Sequence, residues 1–253
     1  MPIQVVLLPG GVLPAEFAYG GLINELGPGV DARPKELEVY KDGMPPAGYS
    51  FHLEIEGILR HADAAGFDRF HLVGYSAGGA SCLAFTASHP DRLLSLTLNE
   101  PAWAGNEGLS PEEQERWKIF DHLSELPFVE LMPAFVRAQL RDGVAPPPPP
   151  EGPPPPWMET RPAGIRTFIE TFKTSKLDVE ALRTFDKPVL FTLGGKSHPW
   201  YYAEIAKRLA TIFPDFTLEV FEDRHHFDPP HRTETKRFAE LLLGFWEKAA
   251  NPK

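Results

Sequence analysis

Short apolar runs recur along the chain and alternate with segments whose apolar residues have helical spacing. The run at 3–8 is apolar almost throughout, which is typical of a strand buried on both faces of a parallel sheet. From Phe51 to Ala65 apolar residues return every three or four positions and predict an amphipathic helix. The alternation predicts an α/β fold with a doubly wound, mainly parallel sheet of about six strands. The predicted strands are 3–8, 37–40, 70–73, 93–98, 188–193 and 216–221.

This alternation stops between residues 104 and 187. Residues 110–113 read Ser-Pro-Glu-Glu, which has the form of a capping box with proline at the first helical position. Two further helices are predicted around 129–141 and 164–174. We therefore expect an α/β core formed by 1–103 and 188–253, and a helical cap or lid formed by 104–187.

A proline run lies within the predicted lid. Residues 146–156 hold only Glu151 and Gly152 besides proline. Such a run predicts extended polyproline structure, because proline fixes φ and supplies no N–H to a helix or sheet. The run either recruits a partner domain or acts as a stiff strap across the lid. The lack of basic residues beside it favours the strap.

The strand beginning at Phe70 leads directly into a G-x-S-x-G motif, Gly74-Tyr75-Ser76-Ala77-Gly78, and small residues compatible with a helix follow. A strand before the motif and a helix after it are the context of a nucleophile elbow, in which the serine backbone is strained. Glycines are needed two positions to either side, where side chains would collide across the turn. The motif indicates that Ser76 is a nucleophile.

Composition narrows the classes of partner. A formal charge of −10 argues against binding to nucleic acid or to an anionic membrane surface, since both need clustered Lys and Arg. We expect a small, uncharged ligand. No segment is apolar for long enough to span a membrane, and no secretory signal is visible. The single cysteine, Cys82, fits a reducing compartment, so we expect a cytoplasmic protein.

On three features the chain resembles the α/β-hydrolase fold superfamily over essentially its full length. They are the motif around Ser76, the Pro9-Gly10-Gly11 loop after the first strand, and His226 after the last strand. The resemblance implies that the family's first two strands are missing here, that six core strands remain, and that 104–187 corresponds to the family's cap.

The resemblance also implies a triad in which Ser76 attacks, a histidine acts as base and a carboxylate orients that histidine. His226 is preferred to the adjacent His225, because the family's histidine commonly precedes an apolar or aromatic residue. Three other histidines are more simply explained as structural residues of a strand, the cap and a loop. They are His71, His198 and His231.

The position of the candidate acid differs from the pattern that is commoner in the family. The loop after the fifth predicted strand, 194–199, holds no carboxylate. A minority of the family carries the acid one strand earlier, and Glu100 lies at that position. In this respect the chain looks like lactone hydrolases that act on zearalenone. Asp223 and Asp228, which lie close to His226 in sequence, stay open as alternative acids.

The same resemblance implies an oxyanion hole formed by the backbone N–H groups of Ala77 and Gly11, with Val12 as the next candidate for the second donor. Val12, Tyr75 and Trp103 are the candidate substrate-binding residues. Trp103 follows Glu100 at a strand end, and strand ends open toward the site in such folds. The large apolar residues of the lid either line a pocket or pack the lid on the core. They are Trp117, Phe120, Leu131, Phe135, Trp157 and Phe168.

These residues predict a serine hydrolase that cleaves a carboxylic ester or lactone of a small, largely apolar substrate through an acyl-enzyme. No metal or organic cofactor is expected, because the chain has no paired metal-ligand motif. Two alternatives stay open. The same triad could cleave a carbon-carbon bond of a diketone, or the chain could be a ligand-binding protein on a hydrolase scaffold.

Overall fold

Six strands form one sheet in the computed structural model, which describes residues 2–148 and 152–250. Neighbouring strands all run parallel, in the order β2-β1-β3-β4-β5-β6. The predicted doubly wound sheet is therefore confirmed. The strands are β1 (Ile3–Leu8), β2 (Val30–Pro34), β3 (Phe70–Tyr75), β4 (Leu93–Asn99), β5 (Val189–Gly194) and β6 (Phe216–Phe221).

The strand predicted at 37–40 is wrong. Glu38–Tyr40 forms a single 3-10 turn, and the strand that pairs with β1 is Val30–Pro34. This strand lies at the edge of the sheet and is short, partly polar and half-buried, so it lacks the apolar run by which central strands are recognised. Leu37, Val39 and Tyr40 are buried all the same, because the turn packs against the core.

Helices cover both faces of the sheet. The helices of the core are α1 (Ala15–Leu26), α2 (Phe51–Ala64), α3 (Ala77–Ser88), α8 (Glu204–Ala210), α9 (Pro230–Thr233) and α10 (Thr235–Ala250). Helices α1, α9 and α10 pack together on one face, and α2 and α3 on the other. Helix α1 is not among the predicted elements, since Gly20 and Gly21 at its centre lower its helix propensity.

Four described α-helices lie between β4 and β5, and we call the chain between these two strands the insertion. Its helices are α4 (Pro111–Glu125), α5 (Phe128–Arg137), α6 (Arg161–Thr174) and α7 (Val179–Arg183). The predicted capping box is confirmed, because the Glu113 N–H donates to Ser110 Oγ and the Ser110 N–H donates to the Glu113 carboxylate. The proline run expected to form a strap includes residues 149–151, which lie outside the described residues. In the described part of the chain, no helix has both the length and the apolar character needed to cross a bilayer.

The strand order defines a crevice at the carboxyl ends of two inner strands, β1 and β3. Connections leave β1 toward one side and β3 toward the other, so the carboxyl ends of these two strands flank the topological switch point. Ligands of open α/β sheets bind in the crevice at this point. The loop after β1 and the turn after β3 both meet there.

Candidate active site

Ser76 lies in the tight turn between β3 and α3. Its φ is 54° and its ψ is −119°, a left-handed conformation that a non-glycine residue rarely adopts. A Cβ added at Gly74 would lie 2.5 Å from Cys82 Sγ, and one at Gly78 would lie 2.4 Å from the Pro9 oxygen. Both positions therefore need glycine if the turn is to bring the serine out at the end of the sheet.

Glu100 follows the last residue of β4 and also has a positive φ, 45°. Backbone bonds tie its loop to the serine turn, since the Ser76 N–H donates to the Asn99 oxygen at 3.1 Å and the Ala102 N–H donates to the Ser76 oxygen at 2.9 Å. The Gly194 N–H at the end of β5 donates to Glu100 Oε1 at 2.8 Å. The carboxylate is thus held by the adjacent strand, and its second oxygen faces His226.

His226 lies between Ser76 and Glu100 and is within hydrogen-bond distance of both. Its Nε2 lies 3.0 Å from Ser76 Oγ, and its Nδ1 lies 3.0 Å from Glu100 Oε2. With the proton on Nδ1, the ring donates to the carboxylate and its Nε2 is free to accept the serine proton. The structure brings together the three residues that the sequence assigned to the triad, although they are 24 and 126 positions apart along the chain.

His226 is buried among aromatic side chains. The residue is 1% exposed. Burial lowers the pKa of its imidazole, and the nearby Glu100 carboxylate opposes that shift. The ring of Tyr202 stacks on it with centroids 4.3 Å apart and an interplanar angle of 13°, and the Tyr75 hydroxyl donates to the His226 carbonyl. These contacts fix both the ring plane and the backbone of the histidine.

The alternative acids have other partners. Asp228 Oδ2 lies 2.7 Å from Arg224 Nη1, and Asp223 Oδ1 lies 3.1 Å from Lys196 Nζ. The neighbouring imidazole of His225 accepts the Phe227 N–H. Only Glu100, of the three candidate acids, is within hydrogen-bond distance of the His226 ring.

The loop after β1 approaches the serine closely. A Cβ at Gly10 would lie 3.2 Å from Ser76 Cβ, and the Pro9 oxygen accepts the Gly78 N–H at 3.0 Å. Over residues 2–148 and 152–250, the N–H group of Ala77 has no hydrogen-bond acceptor, and neither have those of Gly10, Gly11 and Val12, so Gly11 and Val12 both stay candidates for the second donor. A developing oxyanion needs unpaired N–H donors of this kind.

A cavity of about 330 Å³ opens above Ser76. Its floor is formed by the ends of β1 and β3 and by His226, and its walls come largely from α4 and α6 of the insertion. Val12 and Tyr75, two of the predicted substrate-binding residues, lie on this wall. The insertion contributes mainly aromatic and aliphatic side chains: Trp117, Phe120, Phe135, Ile165, Phe168, Ile169 and Phe172.

Trp103 is not on the cavity wall, contrary to its predicted role. It is fully buried, stacked on Phe51 at 5.1 Å and on Phe172 at 6.0 Å between ring centroids, and its Nε1 donates to Asn106 Oδ1. The strand end does open toward the site, but the indole turns into the core beneath the insertion. Leu131 and Trp157 are likewise absent from the lining. The other large apolar residues predicted in the lid are part of it: Trp117, Phe120, Phe135 and Phe168.

Two polar residues on the wall were not expected from the sequence. Gln139 accepts the Tyr202 hydroxyl and donates to the Phe135 oxygen, so it links α5 to the aromatic ring that stacks on His226. His231 is buried beside Tyr75, with its Nδ1 2.8 Å from the Asn99 amide nitrogen, and burial lowers its pKa to about 3. No local motif marks either residue, because both reach the site through tertiary packing. Among the described residues, no group of three or more His, Cys, Asp or Glu side chains is arranged to hold a metal.

Comparison with known proteins agrees with this architecture. A 2-hydroxy-6-oxo-6-phenylhexa-2,4-dienoate hydrolase of Comamonas testosteroni is 28% identical over 54% of this chain and 50% of its own length. A protein with the same activity from Burkholderia cepacia is 32% identical over 76% of this chain and 66% of its own length. The chain thus spans between half and two thirds of the length of these curated relatives.

Solved structures share the fold. An esterase from Exiguobacterium antarcticum superposes with a TM-score of 0.72 and 17% identity, covering 97% of this chain and 92% of the esterase. The model of the alpha/beta hydrolase family matches residues 5–241. The chain therefore belongs to the alpha/beta hydrolase family of enzymes.

Proposed function

We propose that the protein is a serine hydrolase that cleaves carboxylic esters or lactones with a small, largely apolar acyl group. One observation carries the proposal. Ser76 Oγ, both ring nitrogens of His226 and Glu100 Oε2 form a continuous chain of 3.0 Å contacts at the floor of an apolar cavity. A neutral imidazole in hydrogen-bond contact with a serine is the arrangement that activates this otherwise weak nucleophile.

In the proposed reaction His226 Nε2 takes the proton of Ser76 as Oγ attacks the carbonyl carbon. The imidazolium then gives that proton to the leaving alkoxide as the carbon-oxygen bond breaks, which leaves an acyl-enzyme on Ser76. Water enters, His226 removes its proton, and collapse of the second tetrahedral intermediate releases the acid and restores the serine. Glu100 keeps the proton on Nδ1 and offsets the transient positive charge of the ring.

The oxyanion of each tetrahedral intermediate would be bound by the N–H groups of Ala77 and Gly11. Both donors belong to the backbone of short, restrained segments, so little reorganisation is needed when the charge develops. Ala77 is also the first residue of α3, where the helix dipole favours negative charge.

The insertion would act as the lid that selects the acyl group. Its contribution to the wall is mostly aromatic and aliphatic. The cationic side chains near the cavity either pair with a carboxylate or are exposed to solvent. Lys173 pairs with Asp121 and Lys118 with Glu115, while Arg232 faces solvent. A cavity of about 330 Å³ lies at the lower end of the size range of small-molecule sites. Aryl and short to medium aliphatic esters therefore fit better than long lipid chains or charged acids.

A panel of p-nitrophenyl esters, from acetate to dodecanoate, together with simple lactones, tests the proposal on the purified chain. Turnover should be greatest for intermediate acyl lengths, and a fluorophosphonate should label Ser76 and abolish it. Labelling without measurable turnover of any ester or lactone would instead identify a ligand-binding protein on a hydrolase scaffold.

Carbon-carbon bond hydrolysis is the second candidate, and the curated relatives named above favour it. Their substrate bears a carboxylate, for which this cavity offers no buried, unpaired cation among the residues on its described wall. Turnover of 2-hydroxy-6-oxo-6-phenylhexa-2,4-dienoate with a kcat/KM above that of the best ester would replace ester hydrolysis by this reaction.

A further inference from the structure

Tyr40 lies outside the triad and outside the cavity lining, yet its hydroxyl reaches the loop that would form half of the oxyanion hole. The hydroxyl donates to the Gly11 oxygen at 2.7 Å, across 29 positions of sequence. The side chain is nearly buried, and burial raises the pKa of its phenol well above the usual value, with the nearby Arg161 opposing that shift. The phenol therefore remains protonated, and able to donate a hydrogen bond, at neutral pH.

The Gly11 carbonyl needs this partner because the loop has little stiffness of its own. Gly10 and Gly11 are adjacent, and glycine has more accessible backbone conformations than any other residue. Two bonds restrain the pair, one on each side. The Gly78 N–H binds the Pro9 oxygen, and the Tyr40 hydroxyl binds the Gly11 oxygen. Without the second bond, the orientation of the peptide units at Gly11 would depend on packing alone.

The same tyrosine is held by the insertion. The guanidinium of Arg161, the first residue of α6, lies 3.8 Å from the centroid of the Tyr40 ring, and its carbonyl lies 3.4 Å from the Tyr40 hydroxyl. One turn later, a Cβ at Gly164 would lie 2.1 Å from Tyr40 Cε1, so only glycine lets the helix approach this closely. Helix α6 also supplies Phe168, whose ring meets Tyr40 edge-on and lies near Gly11.

We propose that Tyr40 is a positioning residue. Its hydroxyl holds the Gly11 carbonyl and so fixes the position of the loop after β1 relative to helix α6 of the insertion. This inference rests on the proposed function. Tyr40 touches no reacting atom and acts through Gly11. Because α6 contributes to the acyl wall, the seating of an acyl group against it is coupled through Tyr40 to the Gly11–Val12 peptide. That peptide carries the Val12 N–H and adjoins the peptide that carries the Gly11 N–H.

Replacing Tyr40 by phenylalanine removes the hydroxyl and keeps the ring. Loss of one oxyanion donor costs about a hundred- to a thousandfold in kcat, and a donor that is present but misplaced costs less. We expect Tyr40→Phe to lower kcat for p-nitrophenyl butyrate about ten- to a hundredfold and to leave KM within about threefold. Phosphonylation of Ser76 by a fluorophosphonate should slow in parallel, since that reaction also places charge on an oxygen in the same hole.

Tyr49→Phe is the matched control. The Tyr49 hydroxyl also donates a hydrogen bond of 2.7 Å, to Glu54 Oε1, and the Tyr49 ring also meets Phe168 edge-on. Tyr49 has no hydrogen bond to the loop after β1 among the described residues. Its loss should lower the melting temperature without changing kcat or the labelling rate. Gly164→Ala approaches from the other side, because its methyl group must displace the Tyr40 ring. Gly164→Ala should slow the labelling of Ser76 although the Tyr40 hydroxyl is still present. If Tyr40→Phe does not fold, the labelling rate of Gly164→Ala tests the role of Tyr40 instead.

The outcomes separate this inference from the proposed function. Wild-type kcat and labelling in Tyr40→Phe, with Ser76→Ala inactive, would overturn the role of Tyr40 and leave the hydrolase intact. Equal slowing in Tyr40→Phe and Tyr49→Phe would overturn it too, because the effect would then be one of general packing. If the wild type turns over no ester, the labelling rates of the same variants still test the placement of the loop.

Discussion

The two halves of the candidate site are built in different ways. Ser76 and Glu100 each lie directly beyond a strand, at positive φ, and backbone hydrogen bonds from neighbouring strands and turns hold their loops. The acyl wall contributed by α4 and α6 is held by ring and aliphatic packing, with contacts such as Phe168 on Phe172 at 5.8 Å and Phe120 on Tyr201 at 5.1 Å. Directional bonds fix a geometry, whereas packed side chains tolerate substitution at conserved volume. Changes on the sheet side should therefore alter rate, and changes to the insertion side chains that line the cavity should alter preference.

Ser76→Ala should produce the largest effect. By analogy with triad knockouts in serine hydrolases, kcat should fall about a millionfold, because among the described residues Ser76 is the only one whose hydroxyl is hydrogen-bonded to the His226 ring. Steady-state turnover of p-nitrophenyl butyrate measures this loss. Ser88→Ala removes a serine hydroxyl that bonds within the same helix, to the Ala84 oxygen, and should leave turnover unchanged. Activity above a few per cent in Ser76→Ala would assign the nucleophile elsewhere.

Glu100→Gln should follow, with a loss of about a thousandfold or more in kcat. The amide can donate to His226 Nδ1, which favours the wrong tautomer, and it cannot offset the imidazolium charge. Asp228→Asn is the control, since Asp228 pairs with Arg224 rather than with His226. A mild effect in Glu100→Gln together with a severe one in Asp228→Asn would move the acid to Asp228.

The same division explains what could be predicted from the sequence. The serine and its turn were predictable because the glycines that the turn requires lie within two residues of Ser76. Glu100 was predictable because it directly follows a clear apolar strand, at the position where the family resemblance implies the acid. The acyl wall was predictable only as a set of large apolar residues. Trp103 shows why, because its distance along the chain from Glu100 does not determine on which side of the strand end its ring packs. Gln139, His231 and Tyr40 reach the site through contacts that no local pattern records.

Ile169→Ala tests the insertion side and should have a smaller effect on chemistry. Ile169 is buried on the cavity wall, and its truncation should destabilise the protein by about 2 to 5 kcal/mol while enlarging the cavity. The ester of highest kcat/KM should shift to a longer acyl chain, with the rate of fluorophosphonate labelling nearly unchanged. Ile58→Ala, in the core at α2 and away from the cavity, should lose similar stability without this shift. An equal fall across all acyl lengths in Ile169→Ala would show that the wall does not select the substrate.

The smallest expected effect concerns the pH dependence of kcat/KM, which reports ionisation in the free enzyme. The base must be neutral, so activity is present above the pKa of His226 and is lost as the pH falls through it. Burial lowers that pKa, so the acid limb should lie below the ordinary histidine value of about 6.5. The other titratable groups around the ring are Tyr75, Tyr202, His225 and His231. Burial raises the pKa values of both tyrosines and lowers those of both histidines. Arg232 acts on Tyr75 and His231, and Asp228 and Arg224 act on His225, whereas Glu100 is the charged group that acts on the pKa of His226 among the described residues.

Removing the Glu100 charge should therefore move the limb further toward acid, by about one to three pH units, because an adjacent carboxylate favours the imidazolium. An activated ester should allow this shift to be measured even at the low kcat expected of Glu100→Gln. Ile169→Ala should leave the midpoint where the wild type has it, since its side chain carries no charge and belongs to the acyl wall. A limb that moves equally in both variants would mean that the insertion, and not the carboxylate alone, controls the electrostatics of His226, and the division between the two halves of the site would fail.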